Sequence, residues 1–524
     1  DRLNIPHRIP FESCFQLLDE YPFNGGTGFG PTLTADLDSL RGRGDSTRAL
    51  AYLRQMKYSI KVHFKFRLSF GGSPMNLRSR TIPLLLIGAG IFAVIVGFVT
   101  PKGTTLMMRC GMGDAKSCFH LGVMYDEGKV VIEDNIRAVT LYRKACDGGN
   151  AAGCANLGAM FAKSQGVKQD LPQAVVLYRK ACDGGNAAGC QNLGLKYEYG
   201  EGVTKDLFEA VAFYRKACDG GNAVGCVHLG WMYHYGQGVT KDLSQALAFY
   251  RKACDGGGMG CFEIGLMYEE GQGMTNDLSQ AVAFYRKACD GGDAAGCANL
   301  GAMFAKSQGV KQDFPQAVVL YRKACDGGNA AGCHNLGMMF ENGEGVTKDL
   351  FEAVHFYRNA CLSGNANGCN NLGWMYYNGE GMTKDLSEAV KFHRKACHGG
   401  NTNGCNNLGW MYYNGEGVTE DLFEAVNFYR KACDGGDAAG CANLGVMFAK
   451  SLGVKQDFPQ AVFLYRKACD GGDAAGCNNL GVMYENGEGV KQEHTEAKKY
   501  YGKGCDLKNQ RACENYASLN RMRQ

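Results

Sequence analysis

A pair of cysteines with small and polar residues between them returns every 36 residues through most of this chain. Cys110, Cys146, Cys182, Cys218 and Cys254 step by 36, and the series continues through Cys289, Cys325, Cys361, Cys397, Cys433, Cys469 and Cys505. Only the interval from Cys254 to Cys289 is one residue short. Each of these has a companion shortly downstream: Cys118, Cys154, Cys190, Cys226, Cys261, Cys297, Cys333, Cys369, Cys405, Cys441, Cys477 and Cys513. A fixed period of this length marks a solenoid, because one unit is too small to bury its apolar face except against its neighbours. It excludes separate globular domains downstream of about residue 104.

Within one period, Cys154, Leu157, Gly158 and Phe161 share the spacing that places four side chains on one face of a helix, here helix A. A glycine-bearing turn follows, "EYGEGVTKD" in one repeat and "AKSQGVKQD" in another. Helix B starts after Asp170. Asp170 with Gln173, Asp206 with Glu209, and Asp349 with Glu352 have the form of a capping box: the acid accepts an orphan N–H and the third residue reaches back. Ala174, Tyr178, Ala181 and Cys182 make the buried stripe of helix B, and the "DGG" after the cysteine stops it. Gly158, Ala174 and Ala181 let the two backbones approach, and Phe161 and Tyr178 fill the space between them. The expected fold is all-α: an α/α solenoid, or superhelix, of about eleven 36-residue helical hairpins with one disulfide per repeat.

In such a stack the end of helix B and the start of either neighbouring helix A lie at the same end, so two cysteine pairings are geometrically open. Parity separates them. Pairing each cysteine with its near companion closes twelve couples, whereas pairing within a hairpin orphans Cys110 and Cys513. Twenty-five cysteines in 524 residues fit a disulfide framework in an oxidising compartment. Zinc sites use closer cysteine spacing and usually histidines that this repeat lacks, so no metal and no cofactor is expected. A net charge of +4, with basic and acidic residues interleaved, gives no nucleic-acid footprint.

Residues 82–99, "IPLLLIGAGIFAVIVGFV", follow Arg78 and Arg80 and read as an export segment with Met75 opening its positive n-region. We assign 75–103 to a signal peptide or an uncleaved membrane anchor, since eighteen apolar residues just suffice to span a bilayer. Either way the cysteines end up outside the cytosol, secreted or periplasmic. Residues 1–74 carry no repeat and hold Cys14, which has no companion. They read as an upstream segment doubtful in the mature protein. The array occupies 104–524.

The segments "ANLGAMF…GVKQDLPQAVVLYRKAC" and "NNLGWMYYNGEGVTEDLFEAVNFYRKAC" resemble Sel-one-like (SLR) repeats, relatives of tetratricopeptide repeats. The regular cysteine couple resembles the Helicobacter cysteine-rich protein (Hcp) family, over about residues 105–516. That resemblance implies penicillin binding or a beta-lactamase activity, a hydrolase acting on the amide of beta-lactam rings, and contact with peptidoglycan fragments. The chain offers no motif for it. No S-x-x-K, K-T-G, S-D-N or G-x-S-x-G occurs, and the catalytic residues are unknown.

The block Ala151–Asp170 returns unchanged at Ala294–Asp313 and as a variant at Ala438–Asp457, so the array grew four hairpins at a time. Such growth lengthens a surface without adding chemistry. Counting from each helix A cysteine at about 100° per residue, positions +1, +5 and +8 form a stripe beside the core face. In tetratricopeptide-type solenoids helix A lines the concave surface. All three tryptophans, Trp231, Trp374 and Trp410, stand at +5, with His234, Asn370, Tyr377, Asn406 and Tyr413 around them. Rings beside amides suit extended peptides or glycans, so the expected partners are an extended peptide, a host protein or a cell-wall fragment.

Overall fold

The structure, a computed structural model, describes residues 101–129 and 131–521. Residues 1–100, with Cys14, Met75 and the apolar run 82–99, lie outside the described residues. The described residues form 24 α-helices and no strand. Helix α1 (Pro101–Gly111) takes in the last three residues of the stretch expected to carry the export signal. Eleven hairpins follow. They are α2 (Ala115–Glu127) with α3 (Asn135–Asp147), α4 (Ala151–Lys163) with α5 (Leu171–Asp183), α6 (Ala187–Tyr199) with α7 (Leu207–Asp219), and α8 (Ala223–Tyr235) with α9 (Leu243–Asp255). Next come α10 (Cys261–Glu270) with α11 (Leu278–Asp290), α12 (Ala294–Lys306) with α13 (Phe314–Asp326), α14 (Ala330–Asn342) with α15 (Leu350–Leu362), and α16 (Ala366–Asn378) with α17 (Leu386–His398). The last are α18 (Thr402–Asn414) with α19 (Leu422–Asp434), α20 (Ala438–Lys450) with α21 (Phe458–Asp470), and α22 (Ala474–Asn486) with α23 (His494–Asp506); α24 (Gln510–Arg521) ends the array. Helices α1 and α24 are a lone B-type and a lone A-type helix, each covering one end of the stack.

In eight of the eleven hairpins both helices start on a side-chain cap; α2, α10 and α23 start without one. Asn150 accepts the Gly153 amide at 2.8 Å to open α4, and Asp170 accepts the Gln173 amide at 2.9 Å to open α5. The reciprocal half of the expected capping box is not made. The amides of Asp170, Asp206 and Asp349 donate instead to the carbonyls of Phe161, Tyr197 and Phe340, at 3.2, 2.9 and 2.9 Å. Folding helix B back on helix A brings a backbone acceptor to each cap, so the Gln or Glu side chain has no orphan donor left to satisfy.

Inside each hairpin a glycine of helix A meets a ring of helix B. A Cβ on Gly158 would stand 2.9 Å from the Tyr178 ring, closer than packing allows, so only glycine admits the ring there. Tyr178 and its counterparts Tyr142, Tyr214, Tyr250, Tyr285, Tyr321, Tyr357, Tyr429, Tyr465 and Tyr501 are buried, and His393 takes this place between α16 and α17. In seven of the eleven hairpins a second layer stacks the aromatic residue seven after the helix A cysteine on a helix B ring, as in Tyr376 with Phe392 at 5.4 Å and 6°, and in the other four a leucine takes the helix B place. The arginine of the preceding helix B caps this layer: Arg358 donates to the Tyr376 hydroxyl at 2.8 Å.

Twelve disulfides close the near-neighbour pairing, all with Cα atoms between 4.4 and 4.7 Å apart. Each ties the end of one helix B to the start of the next helix A, so hairpins are joined covalently where their chain direction reverses. The short repeat shows what the missing residue does. Helix α10 starts only at Cys261 and has 10 residues where the other repeats' helix A has 13, and Gly260 at its start offers no side-chain cap.

Candidate ligand-binding face

The +5 row is half-exposed along the array. Trp231, Trp374 and Trp410 are 40%, 46% and 47% exposed, and Met338 in the same row is 39% exposed. Each tryptophan leans on a ring of its own helix. The Trp374 indole stacks on Tyr377 at 5.5 Å and 14°, Trp410 tilts on Tyr413 at 6.3 Å, and Trp231 meets His228 edge-on at 5.1 Å. These contacts hold each ring with part of its face open to solvent, which keeps the entropy cost of a further contact low.

The +1 row departs from its expected place. Ala155, Ala298, Ala442 and Asn478 at +1 are buried, and Asn370 and Asn406 are half-buried. The reason is the neighbouring hairpin. Asn407 donates to Asn370 Oδ1 at 3.1 Å, Asn443 to Asn406 Oδ1 at 2.9 Å, and Asn515 to Asn478 Oδ1 at 3.0 Å. His334 Nε2 meets Asn371 Nδ2 at 3.3 Å in the same way. The +1 residue of one repeat thus pairs with the +2 residue of the next, and the oxygens of Asn370 and Asn406 hold the stack in register.

The +8 row lies between this seam and the hairpin interior. Where it is acidic, the buried tyrosine of helix B donates its hydroxyl to it: Tyr142 to Asp126 at 3.0 Å, and Tyr214, Tyr285, Tyr357 and Tyr501 to Glu198, Glu269, Glu341 and Glu485. Burial pushes these phenols well above their usual range, so they stay protonated donors. His234 also stands at +8, its Nδ1 buried without a hydrogen-bond partner, and burial lowers its pKa. Tyr377 at +8 donates instead to Glu416 of the next repeat at 2.7 Å, and Lys384 lies over its ring at 5.4 Å.

The structure therefore gathers Trp374, Tyr377, Trp410 and Tyr413 from two adjacent repeats into one patch, with Glu416 as a member that the helical wheel did not include because it sits in a turn. Trp231 and His234 form a separate, smaller patch 143 residues earlier, the interval of the internal duplication. Helices α8, α16 and α18, which carry the tryptophans, contain no Asp, Glu, Lys or Arg, whereas every other helix A contains at least one. On the helix B side a groove of about 460 Å³ is lined by Arg322, Asp326, Phe351, His355, Asn359 and Leu362, none of them in the stripe. Among the described residues no group of three or more His, Cys, Asp and Glu side chains is placed to hold a metal ion, and no helix is long and apolar enough to cross a membrane.

The Sel1 repeat model matches eleven segments of the chain: residues 115–150, 151–186, 187–222, 223–258, 258–293, 294–329, 330–365, 366–401, 402–437, 438–473 and 474–509. Among solved structures, the chain is similar to a protective antigen present in uropathogenic Escherichia coli strains displaying an SLR fold. That match has 31% identity over 80% of this chain and 90% of the other, with a TM-score of 0.59. It is also similar to a Sel1 repeat protein from Oxalobacter formigenes, at 24% identity over 47% and 96% of the two chains and a TM-score of 0.43. A third similarity is to Helicobacter pylori cysteine rich protein B, at 35% identity over 25% and 93% and a TM-score of 0.21. No curated protein matches the chain.

Proposed function

We propose that this chain, which belongs to the Sel1 repeat family, is a secreted or periplasmic scaffold that binds an extended, uncharged peptide segment along its helix A face. The observation that carries the reading is the patch of Trp374, Tyr377, Trp410 and Tyr413: half-open rings on the helices that lack charged residues, set across neighbouring repeats. Aromatic faces give contact area at small entropic cost, and helices without formal charge, with Glu416 and Lys384 of the turns engaged on Tyr377, favour a ligand stretch that has none to desolvate. Support for the compartment is chemical. Twelve disulfides persist where no thiol buffer reduces them. Whether residues 82–99 are removed or stay as an inner-membrane anchor leaves this placement unchanged.

The test is a displayed library of random peptides selected on the disulfide-intact chain. Trp374→Ala with Trp410→Ala should weaken the selected binders by more than about ten-fold, the loss expected when two aromatic anchors are truncated. Binders that survive the double substitution unchanged overturn the patch as the site. Soluble peptidoglycan fragments in the same assay decide between a peptide and a cell-wall ligand. The enzymatic alternative, hydrolysis of penicillin-type beta-lactam amides, is supported by the Hcp resemblance alone and by no residue described above. Saturable penicillin turnover that persists without the three tryptophans would replace the scaffold reading with that one.

A further inference from the structure

His393 breaks the tyrosine column of the array. Ten of the eleven hairpins bury a tyrosine against the helix A glycine. In the hairpin of α16 and α17 the imidazole of His393 takes that place, 1% exposed, its ring 2.9 Å from where a Cβ on Gly373 would stand. Its Nδ1 faces Asn370 Oδ1 at 3.1 Å, and the same oxygen accepts from Asn407 of α18 at 3.1 Å. Sixteen residues earlier this hairpin, like five others, offers no carboxylate. Where five hairpins hold a carboxylate under the tyrosine hydroxyl, this one holds Tyr377, the ring that stacks on Trp374.

The groups around His393 leave a proton on it without a counter-charge. From α16 it meets Gly373 and Asn370, and beyond Asn370 the next link is Asn407 of α18. Among the described residues no charged side chain is seen to contact the imidazole, and those nearby in sequence or linked through Tyr377 contact other groups. Glu416 accepts the Tyr377 hydroxyl, Lys384 lies over the Tyr377 ring, and on α17 itself Lys391 pairs with Glu388 and Arg394 donates to Tyr412. Burial alone pushes the His393 imidazole down to about 4 from its ordinary 6.5.

We propose that His393 is an acid-sensitive latch beneath the Trp374–Trp410 patch: protonation of its imidazole opens the packing of α17 on α16 and the Asn370–Asn407 link, and the patch loses its geometry. The sign follows from linkage. Above the ordinary histidine value both packed and opened states are neutral and the packing is at full strength. As pH falls, the opened state takes up the proton first, and the packing weakens progressively down to about 4. Release of ligand in mild acid rests on the binding proposed above, whereas the loosening itself does not.

Hydrogen exchange on the ligand-free chain tests it. Between about pH 7.5 and about pH 4.5, protection of α16–α18, corrected for intrinsic rates, should fall at least about ten-fold relative to α4–α7. His393→Tyr, which restores the column, should abolish that extra fall. Tyr377→Glu, which keeps the imidazole and supplies a carboxylate where five other hairpins have one, should reduce it. Equal pH profiles for wild type and His393→Tyr, or no extra fall in wild type, overturn the latch. A binder lost in acid without the exchange change overturns the latch and leaves the binding proposal standing; the exchange change with no binder found does the reverse.

Discussion

Gly202 lies against the backbone of Leu171, the first helix B residue of the preceding hairpin: a Cβ on Gly202 would stand 2.4 Å from the Leu171 carbonyl carbon, and its φ is +75°. The second glycine of each "GEG" turn is therefore an inter-repeat contact as well as a turn residue. Gly185, after α5, has a φ of +81° but no atom within 4 Å of a built Cβ. Gly185→Ala should cost the left-handed strain alone, about 1–2 kcal/mol. Gly202→Ala should cost more than about 3 kcal/mol, because strain and clash with a backbone that cannot swing away act together. Guanidinium unfolding of the two variants under one set of conditions checks the ranking; equal losses refute the contact.

The hydroxyl of Tyr214 donates to Glu198, while Tyr178 faces Ala162 at the corresponding position, which offers no acceptor. Tyr214→Phe leaves a carboxylate short of a partner and should destabilise by about 1.5–3 kcal/mol, whereas Tyr178→Phe should lie within about 0.5 kcal/mol of wild type. Thermal melts of the two single variants decide it.

Ser164, Ser307 and Ser451 end α4, α12 and α20 in the left-handed region, with φ of 58°, 56° and 56°, where the helix A of other repeats ends on glycine. Replacing each by Gly relieves a Cβ penalty and should stabilise by about 0.5–1 kcal/mol per site. A fall in melting temperature would mean that the Ser164 hydroxyl bond to the Val167 carbonyl, at 3.3 Å, outweighs the strain.

Removing the Cys182–Cys190 disulfide as the double Ala variant should cost about 2–3 kcal/mol, the loop-closure entropy of so short a ring together with lost buried packing. Unfolding with and without reductant measures it. The double variant should lose less on reduction than wild type by that amount.

The junction between α9 and α10 should open first. Cys254–Cys261 is the one disulfide that spans seven residues instead of eight, its helix lacks a side-chain cap, and Gly257, Gly258 and Gly260 all have positive φ. A missing cap costs about 1 kcal/mol, and the absent first turn adds to it, so amides at 256–262 should exchange at least about ten-fold faster than those of the junction at 220–226. Indistinguishable rates would show that the disulfide alone sets junction stability.

Much of this protein is written locally. The period, the helix B start at Asp170, the glycine stops and the parity of the cysteines are all properties of one stretch of chain, so the hairpins and their twelve sulfur links were legible before any coordinates. The position of the tryptophans on a helix A face was legible for the same reason, since a helical wheel needs only one helix. What the sequence left open lies between repeats. Asn370 reads as a surface amide until Asn407, 37 residues away, is laid over it. Tyr377 reads as an isolated ring until Glu416 reaches its hydroxyl, and His393 reads as one more scattered histidine until the tyrosine column shows where it is buried. Those relationships depend on how one hairpin is rotated onto the next. That rotation is set by the packing of two surfaces at once, and no periodicity within a single helix encodes it.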